Sequence, residues 1–125
     1  MNKGFKMEFF EDHIQVQIAS DYKMEPDQQD EFWRVIRELC DKHNTRRVLV
    51  RGFVPKGERN TSDVIEAGMR TAAVPKLWIA FSLKNFEPND RSELFEVIAA
   101  RQGVRVKFFS EPETALNWLR VNAPS

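Results

Sequence analysis

The sequence predicts a single α/β domain with a mixed, mostly parallel five-stranded sheet packed with helices, in the order ββαβαβαβα. Three observations carry this. Val48-Leu49-Val50 and Leu77-Trp78-Ile79-Ala80-Phe81 are unbroken apolar runs, as expected of strands covered on both faces. From the second strand onward, helix-length amphipathic segments separate the strand signals, so right-handed parallel crossovers follow. The opening of the chain instead alternates apolar and polar residues around a tight polar turn, which predicts a hairpin with one wet face and an antiparallel first strand at the sheet margin.

In order, Phe5, Met7 and Phe9 alternate with Lys6 and Glu8, and Ile14, Val16 and Ile18 alternate with Gln15 and Gln17, with Glu11-Asp12 at the turn between them. Pro26 suits the first turn of a helix, where Asp27, Asp30 and Glu31 complement the dipole. Phe32, Val35, Ile36, Leu39 and Cys40 form the apolar stripe of that helix, and Lys42, His43 and Asn44 suit its end. After the Val48-Leu49-Val50 strand, Val64, Ile65, Gly68, Met69 and Ala72 recur at helical spacing until Pro75, and Gly68 within the stripe predicts a close helix-to-sheet approach. Asn89 or Asp90 opens a helix carrying Leu94, Phe95, Val97 and Ile98, closed by Gly103. Val104, Val106 and Phe108 alternate with Arg105 and Lys107, the pattern of an edge strand. Ser110 and Glu113 around Pro112 predict a capping box for a last helix through Ala115, Leu116, Trp118 and Leu119. The domain is expected over residues 5–121, with 122–125 as a loose tail.

At 125 residues, 42% hydrophobic and 30% charged, the chain is the size of one globular domain with one core. Its 19 basic and 19 acidic residues cancel, so no global field draws it to nucleic acid or an acidic membrane, and any anion site must be local. A single cysteine, Cys40, excludes an intrachain disulfide and a thiolate metal cluster. No apolar run approaches the length of a membrane span and the first residues lack the apolar segment of a secretory signal, so a cytoplasmic location without membrane insertion is expected.

The stretch from Arg46 to Asp63 is the place to look for a working site. Gly52-Phe53-Val54-Pro55-Lys56-Gly57 follows a strand with phosphate-loop spacing, but Glu58 and Arg59 stand where lysine and a hydroxyl residue are needed. A P-loop is therefore rejected. A weaker anion or partner surface, formed by Lys56, Arg59, Asn60 and Asp63, would sit at the carboxyl end of a central strand, where ligands of open α/β sheets bind. Phe53, Met69 and Phe86 are candidates for a shared apolar pocket. His13 and His43 lie in no ligand-spaced motif and read as surface or boundary residues, while Cys40 on its apolar stripe reads as a buried small side chain. No catalytic constellation, metal set or cofactor motif is visible, so no catalytic residue, metal or cofactor is expected.

The element order and the closing VRVKFFSEPETALNWLR, with Glu113, Ala115, Leu116, Trp118 and Leu119, resemble the SpoIIAA-like family of the STAS superfamily across about Phe5 to Val121. That resemblance implies a non-enzymatic regulatory or protein-interaction module, switched by phosphorylation at the start of the helix after the central strand. The matching positions are Thr61 and Ser62, although Asn60-Thr61-Ser62-Asp63 stands in place of the family's Asp-Ser-Ser-Gly type signature. Both hydroxyls also read as helix caps. A likeness in architecture to the CRAL-TRIO lipid-binding fold supports a second class, a carrier or sensor of a small apolar or anionic ligand. A protein partner is expected in the first case, a small ligand in the second, and homodimerisation stays open in both.

Overall fold

The computed structural model describes residues 4–19, 26–54 and 60–124. An antiparallel hairpin of β1 (Phe5–Phe10) and β2 (His13–Ile18) leads into α1 (Pro26–His43), β3 (Arg47–Phe53) and α2 (Thr61–Arg70). A short 3-10 turn, Thr71–Ala73, precedes β4 (Trp78–Lys84), α3 (Asp90–Arg101), β5 (Arg105–Phe109) and α4 (Pro112–Asn122). The five strands lie in the order β1-β2-β3-β4-β5, antiparallel only between β1 and β2. The α/β class, the element order and the mostly parallel sheet thus agree with the sequence. β3 occupies the centre, as its unbroken apolar run requires.

The same handedness of successive crossovers through an unreversed strand order puts α1, α2 and α3 on one face. There Ile14, Val16, Val48, Val50 and Ile79 meet Phe32, Trp33, Ile36 and Cys40 from α1 and Ala99 from α3. Among the described residues, α4 alone covers the opposite face, lying over β3, β4 and β5. Its Ala115 and Leu119 pack on Leu49 and Ala80, edged by Trp78, Phe109 and Trp118. The sheet therefore splits the expected single core into two apolar layers, the second much smaller.

Several local expectations are corrected. Gly68 permits a helix-to-helix approach: a Cβ placed there would stand 2.6 Å from Ile98 Cγ2 and 2.7 Å from Ile98 Cβ. Its stripe faces α3 because α2 is wedged between α1 and α3. Helix α4 lacks the expected capping box. Pro112, whose fixed φ suits the first helical position, makes Glu111 the N-cap, so Ser110 falls one residue too early; Glu111 makes no side-chain cap bond. Asn122 belongs to α4 and Ala123 is buried, so the loose tail drawn at 122–125 starts too soon. Strand β4 runs on through Ser82-Leu83-Lys84 beyond the apolar run. At α3 the Asn89 cap forms a reciprocal box with Ser92, and Gly103 follows the helix with φ +81°.

Candidate functional site

The carboxyl ends of β2 to β5 form one rim, and the rim has two sides. Where β3 meets the connection to α2, Phe53 is 50% exposed and is followed by Val54, 43% exposed. Lys56 and Arg59, expected on the anion surface, lie outside the described residues. The helix start beyond them is resolved in detail. Asn60 is the N-cap, its side-chain oxygen accepting from the Asp63 N–H at 2.8 Å. Thr61 and Ser62 are the first two helical residues, exposed and without side-chain hydrogen bonds among the described residues. The cap role read for the two hydroxyls thus belongs to Asn60, because only the residue preceding the helix, with extended backbone, can direct its side chain back over the first turn.

On the α4 side, an open groove of about 680 Å³ is cut into the rim. The connection after β4 turns toward α3 and the connection after β5 turns toward α4, on opposite faces, and a crevice opens where neighbouring connections diverge. Its floor is a row across the sheet: Gln17 on β2 pairs with Arg51 on β3, Arg51 with Ser82 on β4, and Ser82 with Phe109 on β5. Since Phe109 packs under α4, the period-two alternation of strands puts the whole row on that face. Lys84, paired with Phe53, stands two residues further along β4. The walls come from Asn85, Phe86 and Glu87 on one connection and from Ser110, Glu111 and Pro112 on the other.

Of the expected apolar trio, Phe53 and Phe86 line this groove. Met69 is not among its lining residues. It is 55% exposed on α2, one residue on from Gly68, and so points away from the α3 contact. Phe86 is half-buried and stacks on Phe108 at 5.3 Å. No motif in the sequence marks Gln17, Ser82 or Ser110 as groove residues. The available signal was the return of alternation in Ser82-Leu83-Lys84 after a continuous apolar run, which marks a face that becomes polar toward the strand end.

The opposite end of the sheet holds a charged cluster that sequence spacing does not reveal. Asp12, in the β1–β2 turn, accepts from Arg120 Nε at 3.0 Å and from Arg47 Nη1 at 3.3 Å, and His13 Nδ1 lies 2.9 Å from its Oδ1. Arg47 is buried and donates through Nη2 to the Ala123 carbonyl at 2.9 Å. The Arg120 hydrogen bond, against the cost of desolvation and with help from His13, holds the Asp12 carboxyl down to about 2. His13, expected near the surface, is buried, because its strand position faces the end of α4. This cluster clamps the hairpin turn to the C-terminal helix. Cys40 is buried as expected, and desolvation pushes its thiol up to about 11.

Among the described residues there is no cluster of metal-ligating side chains, and no helix is long and apolar enough to cross a membrane. No protein-family model matches the chain, and no curated protein or solved structure matches it significantly.

Proposed function

We propose that the chain is a regulatory or protein-interaction module of STAS type, working through the corner where β3 ends and α2 begins. The observation that carries this reading is the juxtaposition in the chain of two exposed apolar side chains, Phe53 and Val54, with a helix start whose cap is supplied by Asn60. Thr61 and Ser62 therefore have no structural duty at the helix end. A phosphate on Ser62 would add about −1.5 to −2 charges at the positive end of a helix dipole, changing a partner surface without unfolding the domain.

Affinity capture with the purified chain tests the surface. The double variant Phe53→Asp with Val54→Asp is expected to lose the captured protein, whereas Lys6→Gln on the remote hairpin retains it. Equal capture by all three would remove the corner as the working surface. Ser62→Ala with unchanged partner binding, and no modification at Ser62 by mass spectrometry of protein from cells, would remove the switch.

A second reading, a carrier or sensor of a small ligand, is supported by the groove on the α4 side of the rim. Its volume falls in the range of small-molecule sites, and it combines two aromatic side chains with a few polar groups.

A further inference from the structure

We infer that the groove beside the start of α4 binds a small oxyanion, a carboxylate or a phosphate ester, carried on an aromatic or apolar body. This inference rests on the carrier reading; it shares Phe53 with the α2 corner but does not draw on Thr61 or Ser62. The first observation is Ser82. It is 5% exposed, lines the groove, and makes no side-chain hydrogen bond among the described residues. Ser82 thus presents its hydroxyl to the groove, where it can donate to an acceptor that enters.

The second observation is the company Ser82 keeps. Arg51 is its direct cross-strand neighbour, and parallel strands set the two about 5 Å apart. Gln17 continues the row on the far side of Arg51, and Lys84 lies diagonally beyond. Arg51 and Lys84 are exposed and meet no carboxylate among the described residues. A guanidinium, an ammonium, an amide and a hydroxyl on one floor make a donor set suited to an oxyanion, with arginine offering the two-pronged geometry that carboxylates and phosphates accept.

The walls complete the preference. Helix α4 starts at the groove wall with Pro112, and its N-terminal dipole end lies at the rim. Glu87 and Glu111, on the two connections, balance the two cations formally. The groove is therefore dipolar, positive on the strand floor and negative on the loops, which favours one compact oxyanion oriented toward the sheet over a polyanion. Phe53 and Phe86 supply the apolar contact for the rest of the ligand.

The test is a titration of isotope-labelled protein, followed through its backbone amide resonances, with phenyl phosphate, 3-phenylpropionate and the neutral benzyl alcohol. At least one oxyanion is expected to shift Gly52, Ser82 to Phe86 and Ser110, with benzyl alcohol leaving them in place. The stronger of the two identifies the source as phosphate ester or carboxylate. Arg51→Gln should weaken that binding about tenfold, the loss of one charge-assisted contact, with Lys6→Gln as an unchanged control. Shifts confined to the start of α2, or equal titration of Arg51→Gln, would overturn the inference. Benzyl alcohol binding in the groove as well as the oxyanions do would overturn the oxyanion chemistry and leave the carrier reading standing. Silence from all three ligands would sink both.

Discussion

Asp12 shows how much can depend on one side chain at a turn. Glu11 takes a left-handed backbone, φ 48°, to close the hairpin, and Asp12 then reaches the two arginines of the clamp. Its carboxyl titrates at about 2 when folded, below its ordinary value of 3.8. A depressed folded-state value means that the unfolded chain binds the proton first, so the contribution to stability is complete above about pH 4 to 5 and disappears as pH falls toward 2. After allowance for solvent screening of a part-exposed group, that contribution is about 1 kcal/mol. Asp12→Asn also leaves the buried Arg47 charge without its carboxylate, so the variant should be less stable by about 1–3 kcal/mol at neutral pH. Urea unfolding across the acid range should show the two proteins converging toward pH 2. A constant gap would mean that the charge of Asp12 is not what matters.

Among the elements, α2 is held by its neighbouring helices. It lies between α1 and α3, tied to α1 by the Arg70–Asp30 ion pair and to α3 by the contact that Gly68 allows. Alanine at position 68 would gain about 1 kcal/mol in helix propensity. It would also drive a methyl group into Ile98 at Cβ and Cγ2, atoms held close to the α3 backbone, and overpacking of that kind costs about 1–3 kcal/mol. The close contact should win. Gly68→Ala is expected to lower the denaturation midpoint, and a raised midpoint would show that α2 and α3 separate easily. The helix was legible from its apolar spacing, and Gly68 was legible as a point of close approach. That its neighbour is another helix was not, because a 3.6-residue stripe records that a face is buried and leaves open what buries it.

At the scale of the whole molecule, three helices among the described residues cover one face and α4 covers the other, so protection should be uneven. Val48, Leu49 and Val50 at the sheet centre are buried with neighbours on both sides, whereas β1 and β5 are the two outermost strands of the sheet. Amide exchange in β3 should proceed only through global unfolding, with β1 and β5 exchanging earlier through local opening. Edge strands as protected as β3 would indicate that something covers them, such as a second copy. Lys6 and Glu8 on β1, and Arg105 and Lys107 on β5, put charges along both edges and disfavour edge-to-edge pairing. Single coverage of the second face also explains the groove. Helix α4 begins at the rim over β3 to β5, and the polar row from Gln17 to Ser82 lies beside its start.

Local patterning by itself determined the class, the order of the elements, the central place of β3 and the burial of Cys40, since alternation and helical spacing are carried by neighbouring residues. It also pointed to the carboxyl rim, though to the α2 corner of it. Only the tertiary structure joined Asp12, Arg47, Arg120 and Ala123, which lie up to about a hundred residues apart and share no motif. Only it aligned Gln17, Arg51 and Ser82, because that row depends on the register of three strands. Register is settled by packing between elements, and no single segment encodes it.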